Sequence, residues 1–172
     1  EKNHPKRKYR LYQKALLLIK SQAYAEAEAL LDSAKAIALE EKDEEFVYHL
    51  TPYYQQLYTE QRQYTKALQT IQDSRKYMKR KDAASHNLYK AQTFELMHRE
   101  DSARHYYDVV AKSENLFLAA EAIYHLSKLA EAEDDPQKAY LHHLDATGYI
   151  DQVYRAYRSQ AKNNAFNELK WQ

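Results

Sequence analysis

Tyr24-Ala25-Glu26-Ala27 and Tyr64-Thr65-Lys66-Ala67 are two copies of one pattern, an aromatic ring three residues before an alanine. Weaker copies stand at Glu100-Asp101-Ser102-Ala103 and Pro136-Gln137-Lys138-Ala139. The four alanines, Ala27, Ala67, Ala103 and Ala139, are spaced 40, 36 and 36 residues apart. Their surroundings repeat as well. Four residues after each alanine come the large residues Leu31, Ile71, Tyr107 and His143, and seven after come Ala34, Ser74, Val110 and Ala146. Nine before come Leu18, Tyr58, Phe94 and Ala130; twelve before come Ala15, Gln55, Ala91 and Ser127. A period of this length marks a stack of supersecondary units. Two antiparallel helices approach closely only where side chains are small. An alanine in the second helix facing an alanine or serine in the first makes that contact, and larger groups one turn away fill the flanks. One such hairpin cannot bury its apolar face alone, so hairpins stack.

The composition agrees with helices and excludes much else. The chain has 172 residues with one glycine, three prolines and no cysteine. Sandwiches and barrels need many tight turns rich in Gly, Pro and Asn. Dinucleotide and phosphate loops need glycines where the backbone approaches phosphate. Without cysteine there is no disulfide, iron–sulfur cluster or thiol nucleophile. Mean hydropathy is −0.90 and net charge is +1. No apolar run approaches the ~18 residues of a membrane helix, and nothing in the overall charge recommends nucleic acid.

Helical faces are legible between the ends. Leu11, Ala15, Leu18 and Ile19 share one face, and Ala27, Leu30, Leu31, Ala34 and Ile37 another. Asp135-Pro136 reads as an N-cap followed by a first helical position, and Gly148 as the stop of the same helix. Pro52 implies either a helix that starts there with Thr51 as its cap or a kink in a helix that begins after Asp43; the kink is favoured, because Phe46, Val47 and Leu50 already follow helical spacing. From Tyr149 a further stripe runs through Ile150, Val153, Tyr157, Ala161 and Ala165, with Phe166, Leu169 and Trp171 beyond it. The absence of an initiating Met before Glu1 and this unstopped stripe lead us to expect a piece of a longer polypeptide.

The pattern resembles the tetratricopeptide repeat (TPR) over about residues 9–147, most specifically in the Tyr-x-x-Ala turn of the first two repeats and in the alanine spacing. The resemblance implies an all-α, right-handed TPR-like solenoid of about four helix-turn-helix repeats plus a C-terminal helix. The repeats would occupy 9–42, 43–81, 83–114 and 116–148, forming a region 1–148, with 149–172 as a capping or connecting helix. Departures are the absent proline at the end of each second helix, Gln55 at a position usually small, and spacings above the usual ~34 residues. In the family the first helices line a groove that holds protein or peptide partners. Carried over, that register places Tyr12, Gln13 and Leu16 in the groove from the first repeat, and Tyr53 and Gln56 from the second. Leu88, Tyr89 and Gln92 come from the third, and Tyr124, His125 and Lys128 from the fourth. Tyrosine is 17 of 172 residues. A groove of tyrosine rings and glutamine amides suits an extended peptide backbone. Tyr54, Tyr58, Tyr106 and Tyr107 read instead as packing between helices. The lysine and asparagine clamp by which chaperone-binding TPR proteins hold a C-terminal carboxylate is missing: its positions carry Tyr12, Leu16, Gln56, Leu88 and Tyr89.

Catalysis and metal binding find no motif. His142 and His143 are adjacent and face apart on a helix, and His98 and His105 are two turns apart. Glu40, Glu41, Asp43, Glu44 and Glu45 read as a solvated turn. There is no nucleophile elbow or phosphate loop. We expect no enzyme, no metal and no cofactor. Two basic clusters, Lys6-Arg7-Lys8 with Arg10 and Arg75-Lys76 with Lys79-Arg80-Lys81, have no nucleic-acid-reading motif beside them. The second suits the end of a helix, where cations complement the dipole.

More loosely, Asp101-Ser102-Ala103-Arg104-His105-Tyr106-Tyr107 and the Tyr/Lys-rich helices resemble the TPR regions of Bacteroidota membrane-anchored transcriptional regulators. That resemblance implies a periplasmic or otherwise extracytoplasmic sensor or interaction module. Its membrane helix and DNA-binding output would lie outside this chain. The alternative is a cytoplasmic, peptide-responsive or nucleic-acid-linked regulator.

Overall fold

The computed structural model describes residues 6–79 and 82–169, with the side chains of residues 156, 157 and 160–169 left aside. Arg80, Lys81 and Trp171, and the side chains of Tyr157, Ala161, Ala165, Phe166 and Leu169, therefore lie outside the described residues. Among the described residues the regular structure is all helical. The helices are α1 (Arg7–Lys20), α2 (Tyr24–Glu40), α3 (Glu44–His49), α4 (Thr51–Glu60) and α5 (Tyr64–Ser74). A 3-10 turn (Arg75–Tyr77) precedes α6 (Ala83–Leu96), α7 (Glu100–Ala111), α8 (Leu116–Ala132) and α9 (Pro136–Leu169). The chain divides into two compact units, residues 1–99 and 100–172.

The turns explain how a chain with one glycine reverses direction so often. Gln22, Arg62, His98 and Asp134 have φ of 63°, 58°, 55° and 57°. Each stands five residues before its alanine, so the left-handed position repeats with the alanines. In each turn two backbone bonds close the helix end as a Schellman motif. Ala23 N–H donates to the Leu18 carbonyl at 2.8 Å and Gln22 N–H to Ile19 at 2.9 Å. Gln63 donates to Tyr58 at 2.8 Å, Arg99 to Phe94 at 2.9 Å and Asp135 to Ala130 at 3.1 Å. The acceptors are the residues nine before each alanine. Lys42, φ 55°, ends α2 in the same way, with Asp43 N–H donating to Ala38 at 2.8 Å.

In the first unit, α1 packs on α2 and α4 on α5, each pair a hairpin. Ala15, Ala27, Ala34 and Ala67 are fully buried, and Ile19, Leu31, Leu57 and Ile71 fill the space around them. Each of those large side chains contributes about 1.5–3 kcal/mol by leaving water. Asp43 caps α3 by accepting from Phe46 N–H at 3.0 Å. The helix pauses at Leu50, whose φ of −76° and ψ of −13° remain right-handed. α3 and α4 are thus one helical path bent next to Pro52, which has no N–H to offer the ladder. Tyr54 and Tyr58 are buried as expected, and their hydroxyls donate to Asp32 at 2.7 Å and Glu28 at 2.8 Å on α2. Gln55 is also buried, and its amide donates to Thr93 Oγ1 on α6 at 3.4 Å. A polar residue at a small-residue position is therefore partnered rather than stranded. Lys8, far from belonging to an exposed basic patch, is 5% exposed and bonds to Glu41 and, at 2.6 Å, to Asp43. It ties the start of α1 to the turn after α2.

In the second unit, α8 packs on both α7 and α9. Its buried residues include Ala119, Ala122, Ile123, Leu126, Ser127 and Ala130, facing Tyr107 and Val110 of α7 and Ala139 and Ala146 of α9. Asn115 caps α8, accepting from Phe117 and Leu118 N–H, and Asp135 caps α9, accepting from Lys138 N–H at 3.0 Å. Gly148 does not stop a helix. α9 runs through it to Leu169, because the residues beyond keep helical spacing and no proline or competing cap intervenes. The boundary expected at residue 149 thus falls inside α9.

Candidate peptide-binding surface

The register carried over from the resemblance marks candidate binding residues on the first helix of each expected repeat, and these divide between the two units. Those in the first unit belong to α1, α4 and α6, and those in the second to α8. In the first unit, Tyr12 of α1 and Tyr53 of α4 stack with ring centroids 5.3 Å apart and planes 27° from parallel. Three further rings extend this contact. Phe46 meets Tyr12 edge-on at 5.8 Å, and Tyr9 meets Phe46 at 4.9 Å. His49 stands edge-on to Tyr12 at 5.6 Å and to Tyr53 at 5.5 Å, with the Tyr53 hydroxyl 3.4 Å from its Nε2. Edge-to-face and offset pairs of this kind add ~0.5–1.5 kcal/mol each beyond their area. Burial, with Tyr12 nearby, pushes the Tyr53 hydroxyl above its ordinary pKa, so it stays a neutral donor at physiological pH.

The repeat register does not pick out Tyr9, Phe46 and His49 as surface partners. A signal for them is present all the same: 46, 49 and 53 follow i, i+3, i+7, as 9 and 12 follow i, i+3. The bend at Leu50 keeps that spacing on one face across two helical segments. Tyr9 and His49 are exposed, Tyr12 and Tyr53 half-buried, and Phe46 buried beneath them. The cluster therefore presents ring surface to solvent on a packed base.

The other placements differ in quality. Gln13 is exposed and Leu16 half-buried. Gln56 is half-buried, and its amide donates to Glu60 at 2.8 Å, one turn along its own helix. Tyr89 and Gln92 are half-buried, whereas Leu88 is 3% exposed and belongs to the interior, where it offers nothing to a partner. In the second unit, Tyr124 is 45% exposed and His125 stands edge-on to it at 5.8 Å. His125 also stacks on Tyr107 of α7 at 4.8 Å, nearly parallel. Lys128 is exposed, lies 5.7 Å over the Tyr124 ring and pairs with Glu131 at 2.8 Å.

Charges near the first unit's cluster are mostly matched. Burial pulls the Lys8 pKa down, but Asp43 and Glu41 more than offset it and the net shift is upward. Asp43 is held below the usual carboxylate range by Lys8, against the opposing effect of burial. Lys79 of the second basic cluster pairs with Glu45. Among the described residues no group of three His, Asp or Glu side chains could hold a metal ion, and no helix is long and apolar enough to cross a membrane. No protein-family model matches the chain, and no curated protein matches it in sequence.

Proposed function

We propose that the chain is a non-enzymatic, TPR-like right-handed solenoid that binds a protein through an extended peptide segment. The observation that carries this reading is the stack of Tyr12 on Tyr53. It joins the first helices of two successive hairpins through residues one position apart in the repeat register, as a continuous binding face requires. The exposed rings of Tyr9 and His49 widen that face, and Gln13 adds amide donors and acceptors. In the same reading the domain is the extracytoplasmic sensor or interaction region of a larger, membrane-anchored transcriptional regulator, with output and anchor outside this chain.

The test starts from a random peptide library selected against the chain, followed by titration of the enriched peptide. Gln13→Ala, at an exposed position, should weaken binding without changing the melting temperature. Tyr53→Ala combined with Tyr89→Ala should lose ~1–3 kcal/mol of binding, with some loss of stability because Tyr53 rests on Tyr12. Affinity should change little with salt. Equal affinity for wild type and these variants, or affinity that collapses with added salt, would move the site to the basic residues around Arg7 and Arg75.

A further inference from the structure

A cavity of about 350 Å3 opens between α2, the α3–α4 path, α5 and the 3-10 turn. None of the ring-cluster residues lines it. Thr51 does, and it is 2% exposed with an Oγ1 that has no hydrogen-bond partner among the described residues. A buried hydroxyl normally finds a partner, because leaving it unpaired forfeits its hydration for nothing in return. Lys35 and Lys76 line the same cavity, and among the described residues neither is ion-paired. Their ammonium groups lie over tyrosine rings instead, 5.5 Å from the Tyr54 centroid and 5.0 Å from the Tyr77 centroid. Among the described residues Asp73, also in the lining, accepts only the Gln69 amide, at 2.8 Å. Ser74 donates its hydroxyl to the Ile71 carbonyl at 2.7 Å and keeps its oxygen lone pairs.

Two cations against one carboxylate favour an anionic group. The Asp73 carboxylate, an acceptor only, requires that the same ligand also carry a donor, and the Thr51 hydroxyl, donor and acceptor at once, can serve either group. Val47 and the two tyrosine rings leave room for a small apolar part. The volume is at the lower end of the ~300–1,000 Å3 typical of small-molecule sites. We propose that this cavity binds a small α-amino or α-hydroxy acid. Its carboxylate is held by Lys35 and Lys76, and its ammonium or hydroxyl group by Asp73 and Thr51. The site is distinct from the peptide face and does not depend on it.

The experiment is a titration of 15N-labelled protein, followed by amide NMR, with pools of the twenty L-amino acids and with L-lactate. Acetate and ethylammonium, each carrying half of the required chemistry, are the controls. Saturable shifts at Val47, Thr51 and Ser74 are expected with at least one α-amino or α-hydroxy acid, and none with either control. Lys35→Met and Asp73→Asn should each weaken binding about tenfold or more, with the rest of the spectrum unchanged. Thr51→Val supplies a readout that a merely structural threonine would not give. Its hydroxyl has no partner in the fold, so the melting temperature should hold or rise while affinity falls. No saturable shift with any probe would overturn the proposal. So would shifts reproduced by acetate alone, or shifts that persist undiminished in the Lys35 and Asp73 variants.

Discussion

Gln22, Arg62, His98 and Asp134 hold a backbone conformation that L side chains adopt reluctantly. Nothing in their chemistry advertises it. Glycine is the residue that usually marks such a helix end, and here the position is filled by an amide, a guanidinium, an imidazole and a carboxylate. This is why the alanine spacing and the Tyr-x-x-Ala turns were legible in the sequence while the left-handed residues five positions upstream of each alanine were not. Removing the side chain should relieve the strain. Arg62→Gly is expected to stabilise the fold by ~0.5–1 kcal/mol, and Arg62→Val, branched at Cβ, to destabilise it by more than that. Denaturant titration of both variants checks the pair. His86 of α6 is a second residue whose setting has a measurable consequence. It is 4% exposed and neither ring nitrogen has a partner among the described residues. Burial, reinforced by the nearby charges of Lys90 and Arg75, pushes its pKa from 6.5 down to about 4. The unfolded chain therefore takes up a proton near pH 6.5 that the folded chain refuses until about pH 4. Stability should be full above 6.5 and fall as pH drops between those values, by roughly 2 kcal/mol between pH 8 and 5. His86→Leu should flatten that part of the profile of unfolding free energy against pH; an unchanged slope would place the acid sensitivity elsewhere.

Element boundaries were legible where a side chain supplies the cap. Asp135 before Pro136 starts α9 as its sequence indicates, with the Asp135 carboxylate accepting from Lys138 N–H. They were not legible where two rules conflict. Gly148 carries the usual stop signal, yet the i, i+4 ladder on both sides of it is uninterrupted, and the ladder wins. An added Cβ at Gly148 would meet nothing within 4 Å. Gly148→Ala should therefore stabilise α9 by ~0.5–1 kcal/mol, the difference in helix propensity, with no steric penalty. A rise in melting temperature and in helical circular dichroism is expected; a fall would mean that α9 breaks at this residue after all. The path through Pro52 shows the opposite balance. The proline interrupts the ladder, but Leu50 stays right-handed, so Phe46, His49 and Tyr53 keep a common face. The proposed binding surface depends on that continuity; Tyr12 and Tyr53 were placed on one face by the register that the family resemblance implies, and their stacking is side-chain detail that spacing does not give. Leu88 was misplaced because its neighbours Tyr89 and Gln92 share the register while its own side chain turns inward; one residue of helix is 100° of rotation, and spacing by itself does not say where the face ends.

At the scale of the whole molecule, Ala27 and Ala67 lie at the α1–α2 and α4–α5 hairpins of the first unit, and Ala103 and Ala139 lie on α7 and α9, which both pack on α8 in the second; the proposed peptide face rests on that register. Ala27, Ala67 and Ala103 are fully buried and Ala139 is 6% exposed. The left-handed turns repeat with the same spacing. What the alanines do not specify is which ring, amide or cavity meets a ligand. Those depend on side-chain detail such as the Tyr12–Tyr53 stack and the unpartnered Thr51 hydroxyl, which periodicity does not encode. The most direct measurement is the thermal melt of Ala67→Arg beside Thr65→Arg, two residues away on the same helix and exposed. Arginine at 67 must overpack the core around Leu57 and Ile71 and bury a charge, so a loss of ~3 kcal/mol or more is expected, while Thr65→Arg should melt like wild type. An Ala67→Arg protein that melts with wild type, or a Thr65→Arg protein that unfolds as early, would contradict the register.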